Sequence, residues 1–166
     1  MANIITPANT SAAAPGWLCL ALRPFHGLNA RLDALQSVAA LAARGFVAEA
    51  FFKSGLTKLH DWDTTLALFQ DEYSVPLLPH QVAAVMGTGG ELVLPVLLLL
   101  GLGGRFAPLG LSFVNLVAVV SLSEIAPAAL QQHVTWGVLL AALALFGSGR
   151  WALDSLLLRR WPDLTR

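Results

Sequence analysis

Apolar residues run through this chain in long blocks, not in the short alternation of a half-buried strand. A helix that crosses a bilayer needs about 20 mostly apolar residues. Four stretches meet that requirement within a few residues at each end: 37–59, 80–102, 106–125 and 132–147. The first is the least uniform, because Arg44, Glu49 and Lys53 interrupt it. Turn signals separate the blocks: a polar, proline-containing stretch at 60–79, the run Gly101-Leu-Gly-Gly-Arg105, and Pro127. The pattern predicts an all-α fold, an integral membrane four-helix bundle.

Two shorter segments predict helices lying on the membrane surface. Leu28, Leu32 and Leu35 share one face of residues 26–35. On residues 63–73, Leu66, Phe69 and Tyr73 are expected to face lipid, with Asp71 and Glu72 toward water. Trp62, Trp136, Trp151 and Trp161 fall near the expected boundaries, where an amphipathic ring is favoured. The chain is therefore expected to divide into an N-terminal tail and surface helix at 1–35, a membrane domain at 36–150, and a basic tail at 151–166. Residues 1–16 carry no charge and read as a disordered tail, and no basic region precedes the early apolar run 17–22, so a cleavable signal peptide is not expected. The sequence contains no internal repeat.

Composition agrees with a lipid environment. Hydrophobic residues make up 56% of the chain, charged residues only 12%, and mean hydropathy is +0.67. A soluble domain usually carries about 25% charged residues. Formal net charge is zero, so nothing points to nucleic acid as a partner. The single cysteine, Cys19, excludes intrachain disulfides and dithiol chemistry, and is expected to be a small interfacial or buried residue. Arg23, Arg31, Arg105, Arg150, Arg159, Arg160 and Arg166 all lie on one side of a four-span arrangement, whereas the first loop carries Asp61, Asp63, Asp71 and Glu72. The excess of basic residues on cytoplasmic loops then places both termini in the cytoplasm of a multi-pass inner-membrane protein.

The polar residues inside the spans are the candidate chemistry. A charge at mid-membrane costs about 2.5–3.5 kcal/mol on insertion scales, so it persists where it has a partner or a role. Counting along the helices puts Glu49, Glu91 and Asn115 near the midplane, with Arg44 on the cytoplasmic side of it and Lys53 on the outer side. Glu49 and Lys53, four apart with the acid first, are expected to pair. Arg44 points elsewhere and is expected to reach Glu91. Pro95 leaves the Glu91 carbonyl without its helical donor, so a polar pocket is expected there, helped by Asn115 and Ser54. The set Arg44, Glu49, Lys53, Ser54, Glu91 and Asn115 can brace the helices, hold a small-molecule or quinone head group, or conduct a proton or ion. Bracing is the plainest of these.

His60, His80 and His133 are expected near the outer ends of the spans. Imidazole suits a transition metal, but their spacing matches no ligand motif. They read first as interfacial residues facing water, so no metal is expected and these three are the weak candidates for one.

The run Phe52-Lys-Ser-Gly-Leu-Thr-Lys-Leu59, the loop ending Glu-Tyr-Ser-Val-Pro-Leu-Leu-Pro79, the stretch Gly90-Glu91-Leu92, Leu99-Leu-Gly-Leu102 with Arg105, and Phe146-Gly-Ser-Gly-Arg150 resemble the DoxX family over roughly 40–155. The resemblance implies a four-helix bacterial inner-membrane protein, one of a family named for association with a quinone-reducing oxidoreductase. Its members are often viewed as small membrane subunits of redox or stress-response systems. The proteobacterial branch this sequence looks like often accompanies genes for metal-binding peptide maturation. The expected function is a membrane subunit, non-catalytic alone, of a redox- or metal-stress-related system, partnered by the lipid bilayer and by another protein or a second copy. No cofactor is fixed by the residues. The alternatives are a quinone-interacting component of an oxidoreductase, with quinone as its cofactor, or a small transporter or exporter subunit. Catalysis by the isolated chain is not expected, because it has no cofactor motif and no nucleophile with a base.

Overall fold

The computed structural model describes residues 16–75 and 77–161, with the side chains of 16–31, 33 and 34 outside the description. The expected disordered tail, the leucine face at 28 and the Cys19 side chain therefore lie outside the described residues, as does Arg166. Six helices follow in order: α1 (Gly16–His60), α2 (Trp62–Asp71), α3 (His80–Leu100), α4 (Phe106–Ser121), α5 (Pro127–Phe146) and α6 (Leu153–Arg160). Among the described residues no strand forms. Residues divide into two compact units, Met1–Leu35 and Gln36–Arg166. The buried core lies within the second.

Three helical segments are long and apolar enough to cross a membrane: Leu35–His60, His80–Leu100 and Pro127–Phe146. The fourth apolar helix, α4, is shorter, with 16 residues. The protein is thus an all-α membrane protein. Its core draws on all four apolar helices, because Val47 and Phe51 of α1, Leu98 of α3, Ala107 and Leu111 of α4, and Leu140 and Leu143 of α5 form one buried cluster. Trp136, expected at an interface, instead packs against this core, its ring edge-on to Phe51 at 5.3 Å.

The expected spans hold to within a few residues for the Leu35–His60 part of α1 and for α3, and less well for α4 and α5. α1 itself begins at Gly16, so residues 26–35 continue into the span as one helix and do not form the separate surface helix expected. Asp61 caps α2, its carboxylate accepting from Thr64 N at 3.1 Å. Hydrogen bonds from Thr64 hold the Asp61 carboxyl below the usual carboxylate range. The face of α2 turns inward, contrary to expectation: Phe69 is buried and clusters with Ala83 and Ala84 of α3. Two small side chains on α3 leave a recess that an aromatic ring fills. Tyr73 then stacks on Phe69 at 4.9 Å, and the α2–α3 connection is tied to the end of α4 where Ser74 N donates to Ser121 O at 2.8 Å. Residues 153–160, expected as tail, form α6, whose start is anchored on the α3–α4 turn: Asp154 N donates to Gly101 O at 3.2 Å, and Gly104 N donates to Asp154 Oδ2.

That turn depends on a glycine. Gly101 ends α3 with φ +68°, a left-handed conformation costing a side-chain-bearing residue about 1–2 kcal/mol. A Cβ there would also stand 2.6 Å from Ala152 Cβ and meet the Arg44 guanidinium. Gly101→Ala should therefore lower stability in detergent by about 2 kcal/mol or more, read from the denaturation midpoint. Gly89→Ala, where a Cβ meets nothing within 4 Å, should change it by no more than about 1 kcal/mol. Equal losses at both positions would show that the turn is not the constraint.

Candidate functional site

The buried charge on α3 finds its partner on α1, and that partner is Lys58. Its Nζ donates to Glu91 Oε1 at 2.8 Å and to Oε2 at 2.6 Å, and a third bond goes to Ser54 Oγ at 2.8 Å. The two charged side chains are only 14% and 10% exposed. Gly55 makes this possible, since a Cβ there would lie 3.1 Å from Glu91 Cβ and 2.9 Å from Leu92 Cγ. The missing side chain lets α1 approach α3, and one helical turn further Lys58 reaches the carboxylate.

Arg44 does not reach Glu91, which corrects the expected pairing. It is fully buried, and its Nη1 donates to Leu99 O at 3.3 Å. Glu91 and Leu99 are eight residues apart, roughly 12 Å along α3. Arg44 therefore serves a different end of the helix. It places a cation on the Leu99 carbonyl in the last turn of α3, at the negative end of the helix dipole, whereas Leu97 O and Leu98 O take backbone donors from the turn that follows.

Glu49 and Lys53 do pair, at 2.6 Å, but on the surface of the chain, with side chains 64% and 72% exposed respectively. They take no part in the Lys58–Glu91 site. Ser54 joins that site through Lys58. Asn115 does not, and instead joins α4 to α5: its Nδ2 donates to His133 O at 3.0 Å, and its Oδ1 lies 2.8 Å from His133 Nδ1. The backbone carbonyl fixes which end of the amide is nitrogen. The amide oxygen can only accept, so His133 Nδ1 carries a proton. His60 and His80 are exposed, and among the described residues no three His, Cys, Asp or Glu side chains group closely enough to hold a metal.

A cavity of about 550 Å³ opens beside the ion pair. Lys58 and Glu91 are the charged groups on its wall, Tyr73 adds a hydroxyl, and the remainder is apolar, including Leu94, Phe106, Phe113 and Val117. Gly87, Gly90 and Gly110 also lie on its wall, and a Cβ at each would crowd Phe69, Val114 and Leu94 respectively. Burial pushes the Tyr73 hydroxyl pKa up, with the carboxylates of Glu91 and Glu72 adding to the effect, so the phenol stays a donor at neutral pH.

Lys58 was the residue sequence reasoning missed, because it sits two residues from the end of α1 and reads as loop edge. The available signal was local: Ser54 and Lys58 are four apart, flanking a glycine that permits close approach.

The fold and the site together define a small all-α membrane protein with a buried ion pair at an apolar cavity. The family model named DoxX matches residues 39–124. An uncharacterized protein of Haemophilus influenzae is 31% identical over 134 residues, covering 75% of this chain and 87% of that protein. The chain belongs to the DoxX family. No solved structure matches it.

Removing one partner from a buried pair typically costs about 3–5 kcal/mol, because the other charge is stranded. Glu91→Gln and Lys58→Met should each destabilise the detergent-solubilised protein on that scale. The double variant should lose clearly less than the sum of the singles. Arg44→Gln combined with Glu91→Gln should be additive, since the two groups do not meet. Strong coupling in the second cycle and none in the first would overturn the assignment.

Proposed function

We propose that this DoxX protein is a small, non-catalytic subunit of a redox- or metal-stress-related system in a bacterial inner membrane. It crosses four times, with α4 as the third crossing and both termini in the cytoplasm. The observation that carries the subunit role is the Glu49–Lys53 pair. Glu49 lies near the middle of the Leu35–His60 span, yet both side chains are largely exposed. Charges facing hydrocarbon at that depth are costly even when paired. A protein surface that covers the pair removes the cost.

The neighbouring residues suit such a contact. Phe46, Glu49, Lys53 and Leu56 follow at spacings of three, four and three, one face of a helix, and all four are exposed. That spacing is the one by which two helices interlock side chains. A photo-crosslinking residue at Phe46 or Leu56, in native membranes, should yield a discrete protein adduct, either with a second copy of this chain or with another membrane protein. Adding Glu49→Leu and Lys53→Leu should abolish the adduct while leaving the protein folded, because the two charges leave together. Adducts with lipid alone would sink the subunit role.

The orientation rests on the arginine distribution and has its own test. A reporter active only in the periplasm should be silent when fused after Arg166 and active when inserted near Ser74. The reverse pattern would require the opposite orientation.

A second reading is favoured by the cavity. A polar pair at the end of an apolar space suits the head group of a lipid-soluble molecule, as a quinone-interacting component of an oxidoreductase would need.

A further inference from the structure

We propose that the cavity beside the Lys58–Glu91 pair takes a neutral, lipid-soluble hydroxyl compound, a long-chain alcohol or alkylphenol, whose O–H donates to the Glu91 carboxylate. The proposal rests on the cavity being a ligand site, and narrows what that ligand is.

Hydrogen-bond valence decides the head group. A lysine ammonium has three donors and no acceptor. All three are engaged within the chain, one by Ser54 Oγ and two by the Glu91 oxygens. Lys58 therefore offers nothing to a ligand. Each carboxylate oxygen has two acceptor positions, and Lys58 fills one on each. The polar floor of the cavity is left with acceptors. A ligand that only accepts, such as a ketone, ether or ester, finds no donor at the ion pair, and among the described residues of the wall its hydroxyl donor is Tyr73 alone. A ligand with an O–H satisfies the free carboxylate positions directly.

Charge decides the rest. Among the described residues, Lys58 and Glu91 are the only charged ones on the cavity wall, and they cancel. A carboxylate, phosphate or ammonium head would bring an uncompensated charge into an apolar site, which is strongly unfavourable. A neutral donor avoids that cost and makes a bond to a charged acceptor, among the stronger hydrogen bonds available. The exposed Met86, Phe113 and Leu116 on the cavity wall present an apolar mouth, suited to a ligand arriving from lipid. On the quinone-interacting reading, the same arithmetic selects the reduced, hydroxyl-bearing form over the oxidised one.

The experiment uses the full chain in lipid nanodiscs, with 4-nonylphenol and 4-nonylanisole as probes. The two share an alkyl-arene body, and the anisole lacks the O–H. Bound probe is quantified after gel filtration, as excess over nanodiscs without protein. The phenol should be retained roughly tenfold or more over the anisole, the scale of a hydrogen bond to a charged group. Lys58→Met with Glu91→Leu should abolish that preference. Val117→Trp, which fills the cavity from α4 and leaves the ion pair in place, should abolish retention of both probes. Equal retention of phenol and anisole by the wild-type chain would overturn the hydroxyl assignment and leave the cavity as a ligand site. Preferential retention of decanoate would overturn it through the charge argument. Retention of neither probe would overturn the ligand site itself, and the hydroxyl assignment with it.

Discussion

Burying the Lys58–Glu91 pair constrains more of this molecule than any other contact. Both ions lose their water, and their attraction compensates only if the geometry is close and the remaining donors are satisfied. The structure meets both conditions. The carboxylate is gripped through both oxygens, and Ser54 takes the third lysine proton. That arrangement fixes the depth of α1 against α3, because neither side chain can slide a turn without stranding the other. It also explains a glycine at position 55, where a side chain would push Leu92 and Glu91 away.

Apolar packing alone gives membrane helices little reason to associate, because lipid tails are as apolar as leucine. Directional polar contacts then carry much of the specificity, and here they are distributed by depth. Lys58 holds the middle of α3 and Arg44 holds its end, so α1 grips α3 at two levels. Asn115 and His133 join α4 to α5 through two contacts at one level. Small residues do the rest: Ala83 and Ala84 receive Phe69, and Gly101 admits Ala152 and the Arg44 guanidinium.

The limits of sequence reasoning follow from the geometry of a helix. Position along the axis is legible, because rise per residue is constant at about 1.5 Å. The long apolar blocks therefore yielded the Leu35–His60 part of α1 together with α3, α4 and α5, and the spacing of Glu49 and Lys53 yielded their bond. Tilt and the identity of the facing helix are not local properties. Arg44 and Glu91 looked like partners by charge and depth, yet the close approach at Gly55 brings Lys58 to Glu91 instead. Phe69 looked like a lipid anchor because α2 is amphipathic, and periodicity does not say on which side the apolar face finds its surface. α6 was missed because its eight residues are too short and too basic to read as more than a tail, and its anchors are backbone groups of a distant turn.

The two ion pairs on α1 have similar bond lengths and different environments, and the contrast separates two roles. Lys58–Glu91 links two helices and is enclosed by its own chain, so folding accounts for it. Glu49–Lys53 lies within one helix, makes no side-chain hydrogen bond to another helix among the described residues, and stands open at a depth where lipid would surround it. An i,i+4 pair on a helix surface contributes only a few tenths of a kcal/mol even in water. Two aliphatic residues would serve a lipid-facing helix better, so bilayer stability gives no reason for these charges. A partner that hydrogen-bonds to them gives one, because buried polar contacts discriminate against wrong partners as well as attracting the right one. On the proposed subunit reading α1 has two faces with different work: one organises the packing of the helices and the cavity, and the other, with Phe46 and Leu56 on either side of the charges, is the face that a second protein surface would cover.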